Sequence, residues 1–328
     1  MRLRQLVLAS SVLAIAPFSL SAENSALEYK LPSMVKNIAQ GFEDGNASAA
    51  ANDELVKFSL GMANSGLNLL EDKILSTSRF THLELSVGSD IFGLDSGTKT
   101  KTEAIAVYGL YETDNLFLFN QTSIVSFDSR STINVGLGAR QINDNETVIV
   151  GANAFYDYET KSGHKRTSFG MELLTSMLEL RANQYNAVSG TIIGGTYDTE
   201  AALDGRDMKL TANLPYLYSS NVYYSSGKWK DGLGYETKTK EFGITAEVLP
   251  NLVLNVAQQK KDSGKLKTVA SISYAIPLGH TAQPNKEMQD GSWATNLRPI
   301  REKLYKPVQR ENRIVKKAIK LGLTVSGA

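Results

Sequence analysis

From residue 79 to about 279 the chain alternates, residue by residue, between apolar and polar or small side chains. In residues 133–140 the odd positions are apolar and the even ones small or polar. In residues 148–158, Val148, Val150, Ala152, Ala154 and Tyr156 share one face, with Gly151, Asn153 and Asp157 on the other. Phe169, Met171 and Leu173 oppose Ser168, Gly170 and Glu172. Leu178, Leu180 and Ala182 oppose Glu179, Arg181 and Asn183, and Phe242, Ile244, Ala246 and Val248 oppose Gly243, Thr245 and Glu247. A period of two is the signature of a strand with unlike faces. Turn-forming runs separate the segments: Asn143-Asp144-Asn145, Lys161-Ser162-Gly163, Asp231-Gly232 and Asp262-Ser263-Gly264. The pattern predicts twelve strands, at 80–88, 102–112, 115–128, 131–142, 146–160, 164–176, 178–188, 207–216, 219–229, 236–249, 252–262 and 266–277.

A soluble sandwich would alternate too, but its second face would also be dry. Here that face carries Arg140, Asn153, Asp157, Glu172, Arg181, Asn183 and Glu247. These residues are the expected polar lining of a lumen, with the apolar face toward lipid. Of 27 aromatic residues, 21 lie between residues 80 and 280, many near strand ends. An even strand number allows closure, which pairs every backbone group where no water can. The predicted fold is all-β: a twelve-stranded antiparallel transmembrane β-barrel, with a short helical N-terminal segment.

The flanks read differently. Residues 1–22 combine Arg2 and Arg4, an apolar run from Leu6 to Leu20, and small residues at a cleavage site near 21 or 22. The apolar run is too short to span a bilayer, so a cleaved signal peptide and export are expected. Residues 23–78 have apolar positions at helical spacing, as in Leu31, Met34, Val35, Ile38 and Phe42, and are read as a helical periplasmic segment. Residues 280–328 lose the alternation, contain Pro284, Pro299 and Pro307, and are read as a basic, partly helical tail.

Charge sharpens this division. The whole chain is near neutral, at +1. Residues 281–328 hold ten basic and four acidic residues, giving +6; the body after residue 22 holds 23 basic and 30 acidic, giving −7. A cationic tail inside an anionic body is favourable in a narrow, poorly solvated space. The balance also argues against nucleic acid as a partner.

Catalytic chemistry is poorly supplied. There is no cysteine, and only three histidines, His82, His164 and His280. His164 lies in a turn with Ser162 and Glu159 near in sequence, and is read as a polar loop residue; an enzyme would need a Ser or Asp within hydrogen-bond reach of it. Asp157 and Glu172 could form an acid pair, but Arg140 and Arg181 on nearby strands favour a salt-bridge network. Gly136-Leu137-Gly138 sits inside a strand, so it is not a phosphate loop. No cofactor, metal site or catalytic residue is expected.

Several runs, in order, resemble a known family. Thr132-Ile133-Asn134-Val135-Gly136-Leu137-Gly138-Ala139-Arg140 is followed by Gly151-Ala152-Asn153-Ala154-Phe155-Tyr156-Asp157-Tyr158. Then come His164-Lys165-Arg166, Gly170-Met171-Glu172-Leu173 and Leu178-Glu179-Leu180-Arg181-Ala182-Asn183-Gln184-Tyr185. Together with Leu116-Phe117-Leu118-Phe119-Asn120-Gln121, they resemble the translocator barrel of the intimin and invasin family, the inverse autotransporters. Pro307, Arg310, Asn312 and Ile314, within Pro307–Val315, resemble the segment with which that family leaves its barrel. The resemblance covers about residues 79–316. It implies an outer-membrane barrel with both ends facing the periplasm, threading its C-terminal segment through the lumen to the cell surface. It also implies the barrel-insertion machinery and periplasmic chaperones as partners; the barrel itself implies outer-membrane lipid, and a single-chain closed barrel predicts a monomer. In the family a long adhesive passenger follows. Here only 13 residues follow Val315, and residues 23–78 match no peptidoglycan-binding module. The expectation is therefore a barrel-only member, a truncated one, or a passenger encoded elsewhere. The alternative is a small pore or structural barrel plugged by its own tail.

Overall fold

The computed structural model describes residues 79–89, 101–127, 130–192, 199–214, 220–249, 251–277 and 297–319. The signal peptide, the helical segment 23–78, residues 278–296 and residues 320–328 lie outside the described residues.

The strands in chain order are β1 (Phe80–Ser89), β2 (Lys101–Glu112), β3 (Leu116–Phe127), β4 (Arg130–Ile142), β5 (Val148–Glu159), β6 (Lys165–Thr175), β7 (Leu178–Ala187), β8 (Thr191–Ile192), β9 (Glu200–Ala202), β10 (Asp204–Asn213), β11 (Ser220–Lys230), β12 (Glu236–Leu249), β13 (Leu252–Lys261), β14 (Lys267–Pro277) and β15 (Lys316–Ala318). Twelve of them close into an antiparallel barrel in the order β1-β14-β13-β12-β11-β10-β7-β6-β5-β4-β3-β2. The first and last barrel strands pair from His82 opposite Pro277 to Ser89 opposite Ala270, so no edge is left open.

The barrel is apolar outside and polar inside. Leu137, Val150, Phe169, Met171, Leu173, Phe242 and Ile244 are exposed, whereas Gln121, Asn134, Arg140, Asp157 and Arg166 are almost completely buried. This inversion suits a barrel whose solvent is lipid. Apolar residues on the inner face cluster toward one side of the interior. Val107, Phe117, Phe119, Ile142, Ile149, Phe155 and Leu174 form one core with Ile300, Leu304, Tyr305 and Val308 from beyond the last barrel strand.

Glycines on the inner face make room for large rings on the next strand. Gly136 pairs with Phe155, and a Cβ at Gly136 would lie 2.3 Å from that ring. Gly205 pairs with Trp229, and its Cβ would lie 2.0 Å from the indole. The rings therefore lie back against the wall instead of filling the interior.

The eighth barrel strand corrects the sequence reading. It spans 204–213, not 207–216. Pro215 has no N–H for a ladder, and the pairing with β11 runs to the Leu214 N–H, which donates to Ser220 O at 2.9 Å. At the other end the Asp204 carboxylate accepts the Ala187 N–H at 2.8 Å. The C-terminal segment is also corrected. Among the described residues its helical content is a single 3-10 turn, Arg301–Tyr305, and its end is a strand, β15, bonded to β9. β8, β9 and β15 form a small sheet that the sequence pattern does not reveal.

Gly205→Val should destabilise the barrel by about 1–3 kcal/mol, as overpacking does. The check is the temperature at which the fast-migrating folded band converts to the unfolded one on gels of unboiled samples. An unchanged transition would contradict the close ring packing.

Candidate translocation site

The two rims of the barrel differ. At one, β4 and β5 are joined by residues 143–147 and β6 and β7 by Ser176 and Met177 alone; at the other, β7 and β10 are separated by residues 188–203, which carry β8 and β9. Segment 297–319 makes hydrogen bonds that progress from the short-turn rim to the long-loop rim.

At the short-turn rim the Arg298 N–H donates to Ser176 Oγ at 3.2 Å and the Ile300 N–H to Glu146 O at 2.7 Å. Arg301 donates to the Glu146 carboxylate at 2.7 Å and to Asp114 O at 2.6 Å. Lys303 meets Glu179, and Tyr305 meets Glu112 and the edge of Phe117. Further along, Arg140 of β4 donates to Glu172 Oε2 at 2.9 Å and to the carbonyls of Leu304, at 2.8 Å, and Lys306. Glu172 is shared with Arg181, which also reaches Glu179 at 2.7 Å. Gln121 of β3 clamps Val308 in the manner of a strand: its Oε1 accepts the Val308 N–H at 2.7 Å and its amide faces Val308 O.

The centre of the series is Asp157 on β5. Arg310 donates to both of its oxygens, at 2.8 and 2.7 Å, and Arg166 on β6 donates to Oδ2 at 2.7 Å. All three side chains have no exposed surface. With its amide turned to satisfy both ends, Asn134 donates to Asp157 Oδ1 at 2.7 Å and to Asn312 O at 2.9 Å. The Arg310 guanidinium lies 4.3 Å from the centre of the Phe155 ring, and that of Arg166 lies 4.4 Å from Tyr185. Bidentate pairing suits planar guanidinium better than ammonium. Arg166 also donates to the carbonyls of Glu311 and Arg313, and Asn312 donates to Glu103.

At the long-loop rim Lys316 meets both oxygens of Glu159 at 2.6 Å, and Arg130 bridges Glu159 and Glu200. Burial works to raise the Glu200 carboxyl, but the bonds from Arg130 and Lys316 outweigh it and hold it below its ordinary range. The backbone continues as β15, with Lys316 opposite Ala202 and Ala318 opposite Glu200.

Six of the seven polar residues singled out in the sequence lie on the buried face: Arg140, Asn153, Asp157, Glu172, Arg181 and Asn183. Asn183 bridges Asp207 and Gln309 O. Asn153, flanked by Gly138 and Gly170, has no hydrogen-bond partner for its amide among the described residues. Glu247 shares the inward parity, but it sits exposed at the β12–β13 turn, where it accepts the Asn251 N–H at 2.9 Å. In the tail, Pro307, Asn312 and Ile314 are buried, as is the Arg310 side chain. Sequence reasoning passed over Gln121, Asn134, Arg166 and Glu103. Strand parity places each on the inner face, but uncharged Gln and Asn give no contrast against small neighbours.

His164 does gain a serine neighbour: Ser189 Oγ lies 2.9 Å from its Nδ1. That hydroxyl also accepts the Lys165 N–H at 3.1 Å and serves to close the loop. Glu159, the nearby carboxylate, is occupied by Lys316, Arg130 and Ser162. His164 is fully buried. Burial first, and then Lys316, push it below its ordinary value, toward the neutral form. The His164 ring is thus oriented and buried, and its serine partner serves the loop backbone. Among the described residues no group of three acidic or histidine side chains could hold a metal.

Residues 33–312 match the model of the inverse autotransporter beta-domain. The chain belongs to the inverse autotransporters. It is 27% identical over 310 residues to the inverse autotransporter adhesin YeeJ of Escherichia coli K12, covering 88% of this chain and 12% of that protein. It is 30% identical over 216 residues to the invasin of Yersinia enterocolitica, covering 62% of this chain and 25% of that protein. The chain thus spans a small part of these relatives. Its fold is shared with a solved structure described under "Unveiling the Mechanism Behind the in-meso Crystallization of Membrane Proteins", at 16% identity, a TM-score of 0.60 and coverage of 73% of this chain and 99% of that one. This inverse autotransporter barrel is an outer-membrane protein of a non-enzymatic family.

Arg310→Gln should cost about 3–5 kcal/mol, because it leaves a buried Asp157 short of a partner. Asp157→Asn alone should cost a similar amount, and the double variant less than the two together, with a coupling of about 1–3 kcal/mol. Denaturant unfolding of the folded barrel measures all three; strictly additive losses would contradict the pairing.

Proposed function

We propose that this barrel is a translocator and that residues 297–319 lie in its lumen, running from the periplasm to the cell surface. The observation that carries the reading is the ordered series of contacts, from Ser176 and Glu146 at one rim, past Asp157, to Glu159 and Ala202 at the other. Bacterial barrels keep short turns on the periplasmic side and longer loops outside, so the tail exits with β15 on the outer side. The six buried polar residues from Arg140 to Asn183 then line the lumen, with Glu247 at its periplasmic mouth. Pro307, Arg310, Asn312 and Ile314 form the linker that occupies it.

The domain plan that fits is a signal peptide at 1–22, a periplasmic segment at 23–78, the barrel at 79–279 and the linker at 280–328. Such a barrel would be inserted from the periplasm by the insertion machinery, with periplasmic chaperones, and would act as a monomer in lipid. The names of the relatives, an adhesin and an invasin, support adhesion as the use to which a surface-exposed continuation is put. The density of buried ion pairs around Arg310 supports a second reading, in which the segment is a permanent plug of a structural barrel.

An epitope tag after Ala328 in intact cells separates the two. Translocation predicts that added protease removes the tag without lysis, while the barrel stays in the outer-membrane fraction. A protected tag on a barrel in the same fraction would overturn translocation and leave the plug.

A further inference from the structure

Outward-facing charges on this barrel are concentrated on one wall. On β10, β11 and β12, Arg206 stands directly opposite Lys228, and Lys228 directly opposite Lys238. One pleat nearer the middle, Lys240 of β12 stands directly opposite Lys260 of β13. These residues share the outward parity of Met208, Leu210, Tyr224, Phe242, Ile244 and Val256, all exposed, and sit on the long-loop side of them. Arg206, Lys238, Lys240 and Lys260 are themselves exposed.

Like charges directly opposite one another in a sheet are destabilising. Inside the barrel Arg140, Arg166, Arg181 and Arg310 each meet a carboxylate. On this wall two carboxylates intervene, both at the outer end of the row: Glu236, 2.7 Å from Lys228 and 3.1 Å from Lys238, and Asp262, which accepts the Lys238 N–H at 2.7 Å. Among the described residues Arg206, Lys240 and Lys260 form no ion pair. Across the barrel, the outward positions at the same rim on β5, β6 and β7 carry a single charge, Lys165, beside Tyr156, Tyr158, Gln184 and Asn186. The row is therefore a local feature.

We propose that this wall binds a phosphorylated, multiply acylated glycolipid of the outer leaflet. Its phosphates fit Arg206, Lys228, Lys238, Lys240 and Lys260, and its acyl chains fit the apolar band immediately below. Five cations at the edge of an apolar belt match a lipid that carries anionic groups on the sugar and hydrocarbon on the other side. The placement of this rim in the outer leaflet rests on the topology proposed above.

The test uses the full-length protein folded in neutral detergent, with bisphosphorylated lipid A as the probe and the same lipid stripped of its phosphates as the control. Saturable binding of the phosphorylated lipid is expected. Lys240→Gln/Lys260→Gln should weaken it about 20-fold, at the strength typical of cations near an anionic surface, whereas Lys165→Gln on the far wall should leave it unchanged. Folding of each variant is verified by its fast-migrating band. If that pair fails to fold, Arg206→Gln/Lys238→Gln carries the same expectation. Equal binding of both lipids, wild-type binding by the folded variants, or an equal loss in Lys165→Gln would each overturn the site. Binding in micelles is independent of the path of the tail. A protected tag with lipid binding intact would therefore sink translocation alone, and an exposed tag without lipid selectivity would sink this site alone.

Discussion

Everything inside this barrel is organised around one buried carboxylate. Asp157 sits with no exposed surface, held by Arg166 from the neighbouring strand and by Arg310 from beyond the last barrel strand. A carboxylate taken out of water costs several kcal/mol, and the cost is offset only when its lone pairs are filled with good geometry. Asp157 uses both oxygens on Arg310, one of them also on Arg166, and reaches Asn134 as well. Two guanidiniums on one carboxylate leave a surplus positive charge, which the Glu311 and Arg313 carbonyls and the faces of Phe155 and Tyr185 help to absorb. Without the tail, Asp157 would keep a single strong partner. The barrel and its C-terminal segment are thus electrostatically incomplete without each other.

The same logic explains the glycines. An interior lined with charged side chains has room for a peptide only if the large rings lie back against the wall. Gly136 and Gly205 permit that for Phe155 and Trp229, and Phe155 then offers its face to Arg310. Arg140 works on the peptide backbone instead, donating to the carbonyls of Leu304 and Lys306. Contacts to carbonyls are indifferent to side-chain sequence, whereas the Phe155 face favours a cation. The Asp157–Arg310 pair is the specific fixed point among them.

The barrel was legible because strand periodicity is local: all twelve strands are present, and their ends differ from the predicted ones by at most three residues. The largest shift, at β10, came from reading through Pro215, where the absent N–H and the cap at Asp204 move the strand toward the N terminus. The division into an acidic body and a basic tail was equally plain in the charges. Which acid meets which base was not, because Arg310 and Asp157 are 153 residues apart and only closure of the barrel brings them together. β15 was missed for the same reason. Three residues carry no periodicity, and Lys316–Ala318 are a strand only because β9 offers them an edge.

The central claim is that the segment after the barrel lies within it. The chain has no cysteine of its own, so Glu103→Cys on β2 and Asn312→Cys in the tail give a single clean pair at a site where the native side chains are hydrogen-bonded. In intact cells a short bifunctional thiol reagent should join them, yielding one linked proteolytic fragment that contains both β2 and the tail. Independent labelling of the two thiols, with no linked fragment from a correctly folded barrel, would contradict the account.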